Sequence, residues 1–287
     1  MTTELMKEIL SGLYDGSVVP YLGPGVLLDS KNKLTGESIP ADSNSLILAM
    51  NNGSPMAPKL MYEFPRAAMN QELKRGRNFL TQFLTKTYAE TQWTRASIHD
   101  WLMEWKPNYV IDINRDTQLQ ETYSNEEHTL IVGVARITET QFRFRIYHYD
   151  GSSYFEIDQD KVDSSLPILF KPMGTPLPDA NFIASDADYV DYITELMGGF
   201  AIPNFLKEYR KDKQYLLLGM PLNRDSERMV MSDITYAAKE PRGWVLNKAP
   251  TAKEQRYCER IGLQIIDMDV AEFLTTVGFI PSVRQSA

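Results

Sequence analysis

Apolar positions recur along this chain at two spacings, and the changes of spacing mark its elements. Over residues 4–14, Leu5, Ile9 and Leu13, joined by Met6 and Leu10, fall on one side of a helix of period 3.6. Gly16 supplies a stop, after which Val18-Val19-Pro20-Tyr21-Leu22 reads as a short buried strand running into Gly23-Pro24-Gly25-Val26. Residues 30–41 are polar and rich in turn-formers, so a loop is expected there. Residues 43–65 give short helical pieces interrupted by Gly53, Pro55, Pro58 and Pro65. The pattern then predicts one longer helix over 67–87 that turns Met69, Leu73, Leu80, Phe83 and Leu84 to the core. A further helix over 98–105 places Trp101 and Trp105 in the core. Pro107 stops it, and Tyr109-Val110-Ile111-Asp112-Ile113 is a strand ending in Asn114-Arg115-Asp116, where a short helix is expected to begin.

Between residues 128 and 162 the period changes to two. Leu130-Ile131-Val132, Phe142 to Tyr147 and Tyr154 to Ile157 predict an antiparallel meander with a turn at Asp150-Gly151. Arg143 and Arg145 alternate with Phe142 and Phe144, giving one basic and one apolar face. The meander is expected as an insertion near 128–162, an excursion from the main sheet. Strands over 166–170, 214–219, 243–246 and 263–266 then alternate with helices. Ser185 with Asp188 and Thr251 with Glu254 are spaced as capping boxes, and Gly198-Gly199 close the first of these helices. Another helix carries Met229, Val230, Ile234 and Tyr236, and the last spans 270–277. Strands alternating with helices define an α/β protein with a parallel sheet covered on both faces, here one domain over 1–287.

Composition narrows the function classes. The 287 residues carry a net charge of −8, which argues against general nucleic-acid binding, since neutralising phosphates requires a basic face. No apolar run is long enough to span a bilayer and no secretory leader pattern is present, so a cytoplasmic location is expected. A single cysteine, Cys258, excludes an intrachain disulfide and a multi-thiolate metal centre. His99, His128 and His148 are far apart, and no metal site is expected.

Candidate chemistry sits at strand ends. A Gly-x-Gly loop after a first buried strand can let a phosphate approach the backbone, although Pro24 removes one amide donor and a tight turn accounts for this stretch taken alone. Asn114 and Asp116 follow a strand's carboxyl end, where open parallel sheets bind ligands; a helix N-cap is the simpler account of that pair. Three further segments join them: Lys171-Pro172-Met173-Gly174, the Leu-Gly-x-x-Leu-x-x-Asp stretch from Leu218 to Asp225, and the closing element from Ile266 to Leu274. In this order and spacing the chain resembles the sirtuin-like family over nearly its whole length. The resemblance implies a Rossmann-like sheet that binds NAD or ADP-ribose. It places Gly23, Gly25 and Val26 towards the phosphates, Asn114 and Asp116 in the nicotinamide-ribose region, and Gly219 on the adenosine side.

The departures from that family bear on function. Active relatives carry a histidine-glycine pair where this chain has Met173-Gly174. A thioether cannot accept and return a proton near neutral pH, and losing general acid–base catalysis costs on the order of 10²–10⁴ in rate. The family's four-cysteine zinc module is absent, Pro24 replaces the usual alanine, and Arg115 adds a charge near the nicotinamide pocket. The expectation is a catalytically degenerate sirtuin-like protein that binds a protein partner, whether or not NAD or ADP-ribose is retained. The alternative is an NAD glycohydrolase in which Asn114 and Asp116 position water. The chain also resembles compact sirtuin-like proteins encoded among nitrogen-fixation genes, which implies an accessory factor with the nitrogenase molybdenum-iron component as partner. Candidate interface segments are 30–65 and the meander, with Tyr147, Tyr149 and Tyr154 expected to be exposed.

Overall fold

The computed structural model describes residues 2–279; Met1 and residues 280–287, which the single-domain expectation includes, lie outside them. A helix, α1 (Thr2–Asp15), leads into β1 (Val18–Leu22), a short 3₁₀ turn (Pro24–Leu27), α2 (Ser43–Met50), α3 (Phe64–Arg75), α4 (Arg77–Thr85) and α5 (Ser97–Trp105). Next come β2 (Tyr109–Asp112), α6 (Gln118–Thr122), β3 (His128–Gly133), β4 (Phe144–Tyr149), β5 (Tyr154–Glu156) and β6 (Ile168–Lys171). The small strands β7 (Gly174–Thr175) and β8 (Asn181–Phe182) precede α7 (Asp186–Gly198), α8 (Asn204–Tyr209) and β9 (Gln214–Leu218). The chain finishes with α9 (Asp225–Ile234), β10 (Gly243–Leu246), α10 (Ala252–Ile261), β11 (Leu263–Ile266) and α11 (Val270–Thr276). Among the described residues no helix is long and apolar enough to cross a membrane.

Nine strands form one sheet in the order β11-β10-β9-β1-β2-β6-β3-β4-β5, parallel except for β4 and β5, and β7 with β8 make a separate antiparallel pair. This is the expected Rossmann-like α/β architecture. β1 is buried at all five positions because both faces of the sheet are covered. Val18 and Leu22 join the layer built with α1 to α6 and α11, and Val19 and Tyr21 the layer built with α7 to α10. The Thr251/Glu254 capping box forms in full, at α7 the Asp188 carboxylate accepts from the Ser185 amide, and Gly199 closes α7 in the left-handed region.

Several expectations are corrected. The helix foreseen over 67–87 is two helices and a π-helical turn (Lys86–Glu90), broken at Gly76, whose φ of 85° and ψ of 163° suit only glycine. The break resets the helical phase, so Leu80 and Leu84 are buried while Leu73 is 76% exposed. Trp101 packs edge-on against Phe273, but Trp105, the last residue of α5, is 37% exposed. Tyr236 falls beyond α9 and is exposed. The meander is antiparallel as expected, yet it is no excursion: β3 pairs in parallel with β6 and lies inside the main sheet. Its tyrosines are not exposed either. Tyr147 is buried, while Tyr149 stacks on the His128 ring and the Tyr154 hydroxyl lies 2.7 Å from His128 Nε2. Arg143 of the basic face is held by Asp191 at 2.6 Å.

Replacing Gly76 by alanine forces a side chain into that glycine-only conformation. Gly76→Ala is expected to destabilise the protein by roughly 1–3 kcal/mol, checked by denaturant unfolding; an unchanged midpoint would mean that α3 and α4 can join into one helix.

Candidate functional site

The carboxyl ends of β1, β2, β6 and β9 meet where the connections part, those from β1 leading towards β2 and those from β9 leading to β10 on the other side. Open parallel sheets place their ligand crevices at such a point. A buried polar chain fixes the geometry there. Lys171 Nζ, at the end of β6, donates to Asp112 Oδ2 at the end of β2 over 2.7 Å, and both side chains are fully buried. Asp112 Oδ1 accepts from the Asn114 amide and from Asn114 Nδ2, and Nδ2 also donates to the Gly23 carbonyl at 3.0 Å. Burial pushes the Asp112 carboxyl up, and the Lys171 ammonium pulls it back. Asn114 therefore ties the β2 end to the loop after β1.

The Gly-x-Gly loop is spent on the neighbouring strand. Gly23 N donates to Leu218 O and Gly25 N to Gly219 O, each at 2.8 Å. A Cβ on Gly23 would lie 2.6 Å from Gly219 O, and one on Gly219 would lie 2.5 Å from Val26 N. The glycines are thus required by a backbone-to-backbone contact between the β1 and β9 ends, and two amides that could meet a phosphate already have partners.

Three cavities surround this junction, and the sequence-derived residues divide among them. Pro24, Asn114, Arg115 and Met173 line a small crevice of about 40 Å³ together with Tyr21, Tyr189 and Glu227. That volume holds a few waters. Gly25, Val26 and Gly219 line a cavity of about 810 Å³ over the ends of β1, β9 and β10. Pro24 and Ala41 form the wall common to these two. Gly23 lines neither and is packed against Gly219 and Met220. Asp116 faces a third, polar cavity of about 440 Å³ with Lys33, Trp93 and Glu121. Its Oδ1 accepts from Gln118 N at 2.8 Å, turning the chain into α6, and its buried Oδ2 has no protein partner. The structure brings Asn114 and Met173 together and sets Asp116 apart from them.

Within the crevice Met173 is 3% exposed, and none of the three histidines lines it. His99 lies on the buried face of α5, and burial holds its imidazole well below the usual range. Arg115 is occupied structurally: its guanidinium donates to the Ile183 carbonyl and reaches the Tyr189 hydroxyl at 3.4 Å. Tyr21, at the end of β1, has a buried hydroxyl without a partner.

Sequence reasoning missed Glu227. Its Oε2 is buried without a hydrogen bond, and burial, reinforced by the Glu63 carboxylate, pushes its carboxyl up to about 8. Arg224 and Arg115 oppose the rise. The available signal was helical phase: Glu227, Val230 and Ile234 share one face of α9, so a carboxylate lies on the buried stripe. Chemically, the crevice offers one group that can donate or accept a proton near neutral pH, beside a carboxamide and a phenol.

Among the described residues no cluster of His, Cys, Asp and Glu is suited to hold a metal ion. No protein-family model matches the sequence, and no curated protein matches it.

Two outcomes follow from this geometry. Lys171→Met leaves Asp112 buried without its counter-charge and is expected to cost about 3–5 kcal/mol in denaturant unfolding, with Asp112→Asn in the same chain restoring part of the loss. Glu227 has a folded pKa above its unfolded value, so its neutral form favours the fold below about pH 4.5 and that contribution fades as pH rises towards 8. Glu227→Gln is therefore expected to melt above the wild type at pH 8–9, by about 2 °C per kcal/mol regained, with the difference vanishing near pH 4.5. Parallel melting curves at every pH would refute the assignment.

Proposed function

We propose that this chain is a sirtuin-like protein that has lost NAD cleavage and acts as an accessory or regulatory binding protein for another protein in the cytoplasm. The observation that carries the reading is the crevice itself. Met173 lies in its wall beside Asn114, at the position where active relatives of that family hold their proton-transferring histidine, and no imidazole replaces it. The hydrogen-bonded amides of Gly23 and Gly25 support the same reading. The exposed apolar side chains Leu34 and Tyr62 support the 30–65 region as a contact surface, and exposed Phe155 keeps the meander beside it as a second. The proposed partner, from the resemblance to proteins encoded among nitrogen-fixation genes, is the nitrogenase molybdenum-iron component.

Glu227 favours a second reading, an NAD glycohydrolase. A carboxyl group titrating near neutrality beside Asn114 could exchange a proton with a ribose hydroxyl or water in place of histidine.

One assay separates the two. Purified protein incubated with NAD is expected to release nicotinamide no faster than the blank. Release that disappears in both Asn114→Ala and Glu227→Gln would establish the glycohydrolase instead, as would NAD depletion on expression that Glu227→Gln abolishes. Tagged protein is expected to retain the molybdenum-iron component in a pull-down, and Leu34→Asp with Tyr62→Asp to weaken that capture; capture without the component would remove it as partner.

A further inference from the structure

The large cavity at the β1–β9 junction is where a dinucleotide would be sought in this architecture, and its chemistry points elsewhere. Its walls are chiefly apolar, with Leu27, Leu28, Ile39, Leu246, Met268 and Leu274 among them. At about 810 Å³ it lies within the range of sites for whole small molecules. Three helices, α2, α5 and α11, begin at its rim, an arrangement that ordinarily attracts anions through free amides and helix dipoles. Here each start is already met by a carboxylate of the chain. Asp42 accepts from Asn44 N and Ser45 N at 2.8 and 3.2 Å, Asp29 from Ser97 N at 3.0 Å, and Asp269 from Glu272 N at 2.8 Å.

These three aspartates line the cavity, and all are exposed at its mouth. The fourth charged residue of the lining, Lys248, is engaged by Glu272 and lies 3.7 Å from Asp269. With the Gly25 amide bonded to Gly219 O and an amide at each helix start taken by an aspartate, the donors that would favour a pyrophosphate are reduced, and the charged lining is three aspartates against one lysine. A phosphate there would meet like charge at the mouth, most strongly at low ionic strength.

We propose that this cavity binds a phosphate-free small molecule: an apolar body that fills the Leu27–Leu274 walls, with a cationic end held by Asp29, Asp42 and Asp269. Selectivity comes from the carboxylates, which satisfy the helix starts and repel anions together. The proposal rests on the lining of this cavity and not on the loss of NAD cleavage, although NAD turnover in the adjoining crevice would count against it.

Two environment-sensitive fluorophores of opposite charge test it. The aromatic cation berberine is expected to bind at least tenfold more tightly than the sulfonate 1-anilinonaphthalene-8-sulfonate at low salt, and ADP-ribose is expected not to displace it. Leu274→Trp, which fills the cavity, is expected to remove berberine binding. Because that buried position can unsettle the fold, Asp42→Asn with Asp269→Asn provides the second arm. It keeps a capping side chain at both helix starts and is expected to narrow the cation-to-anion preference several-fold. The proposal is overturned if the sulfonate binds more tightly, if ADP-ribose displaces berberine, or if the preference is unchanged in the double variant. Binding of ADP-ribose without nicotinamide release from NAD would sink this inference while leaving the loss of cleavage standing.

Discussion

A single buried ion pair sets the positions on which the site depends. Lys171 and Asp112 meet with no exposure to solvent, and the carboxylate passes the constraint through Asn114 to the carbonyl of Gly23. The ends of three parallel strands are thereby held in fixed relation. Two apolar side chains of similar volume could pack as well, or better, in the same space. They could not orient a carboxamide: the second carboxylate oxygen accepts two hydrogen bonds from Asn114 and so fixes the residue that faces the crevice. The pair adds direction to a contact that hydrophobic packing alone would leave unoriented.

Around that anchor the backbone donors have been used internally. The loop after β1 gives its amides to β9, and the helix starts near it are met by aspartates of the same chain. The outcome is a Rossmann-like sheet whose ligand-facing rim is hydrogen-bonded to itself. Among the described residues lining these cavities, the phenol of Tyr21, Glu227 Oε2 and Asp116 Oδ2 are buried without a hydrogen bond, the last in a different cavity from the other two.

Much of this architecture was legible in the sequence because the relevant forces are local. Helix starts at Ser185 and Thr251 follow from side chains three residues apart, and the strands over 243–246 and 263–266 follow from short apolar runs between capped helices. Pairing was less legible. Period two in residues 128–133 shows a strand but not that its neighbour is β6, some 40 residues later, because the alternation is the same for either partner. The partial cover of Tyr149 and Tyr154 depended on His128 arriving beside them, and the Gly76 break on a backbone conformation that apolar spacing does not record. In the site, Asn114 was found from its position at a strand end and Met173 from the resemblance that sets it against a histidine, whereas Glu227 was overlooked because a glutamate on a helix is usually solvated.

The placement of β6 between β2 and β3 constrains how the chain can assemble. In order of synthesis, β2 and then the β3–β5 meander emerge first, yet they do not touch as neighbours in the finished sheet; a slot one strand wide separates them. Only residues 168–171 fill it, and they bring the lysine that neutralises Asp112. In the folded protein that strand alone joins the two halves of the sheet and gives the buried carboxylate its counter-charge. Closing that slot pairs residues about 60 positions apart in sequence, a long-range contact of the kind that slows folding, and the strand that closes it also supplies the lysine on which the crevice geometry rests.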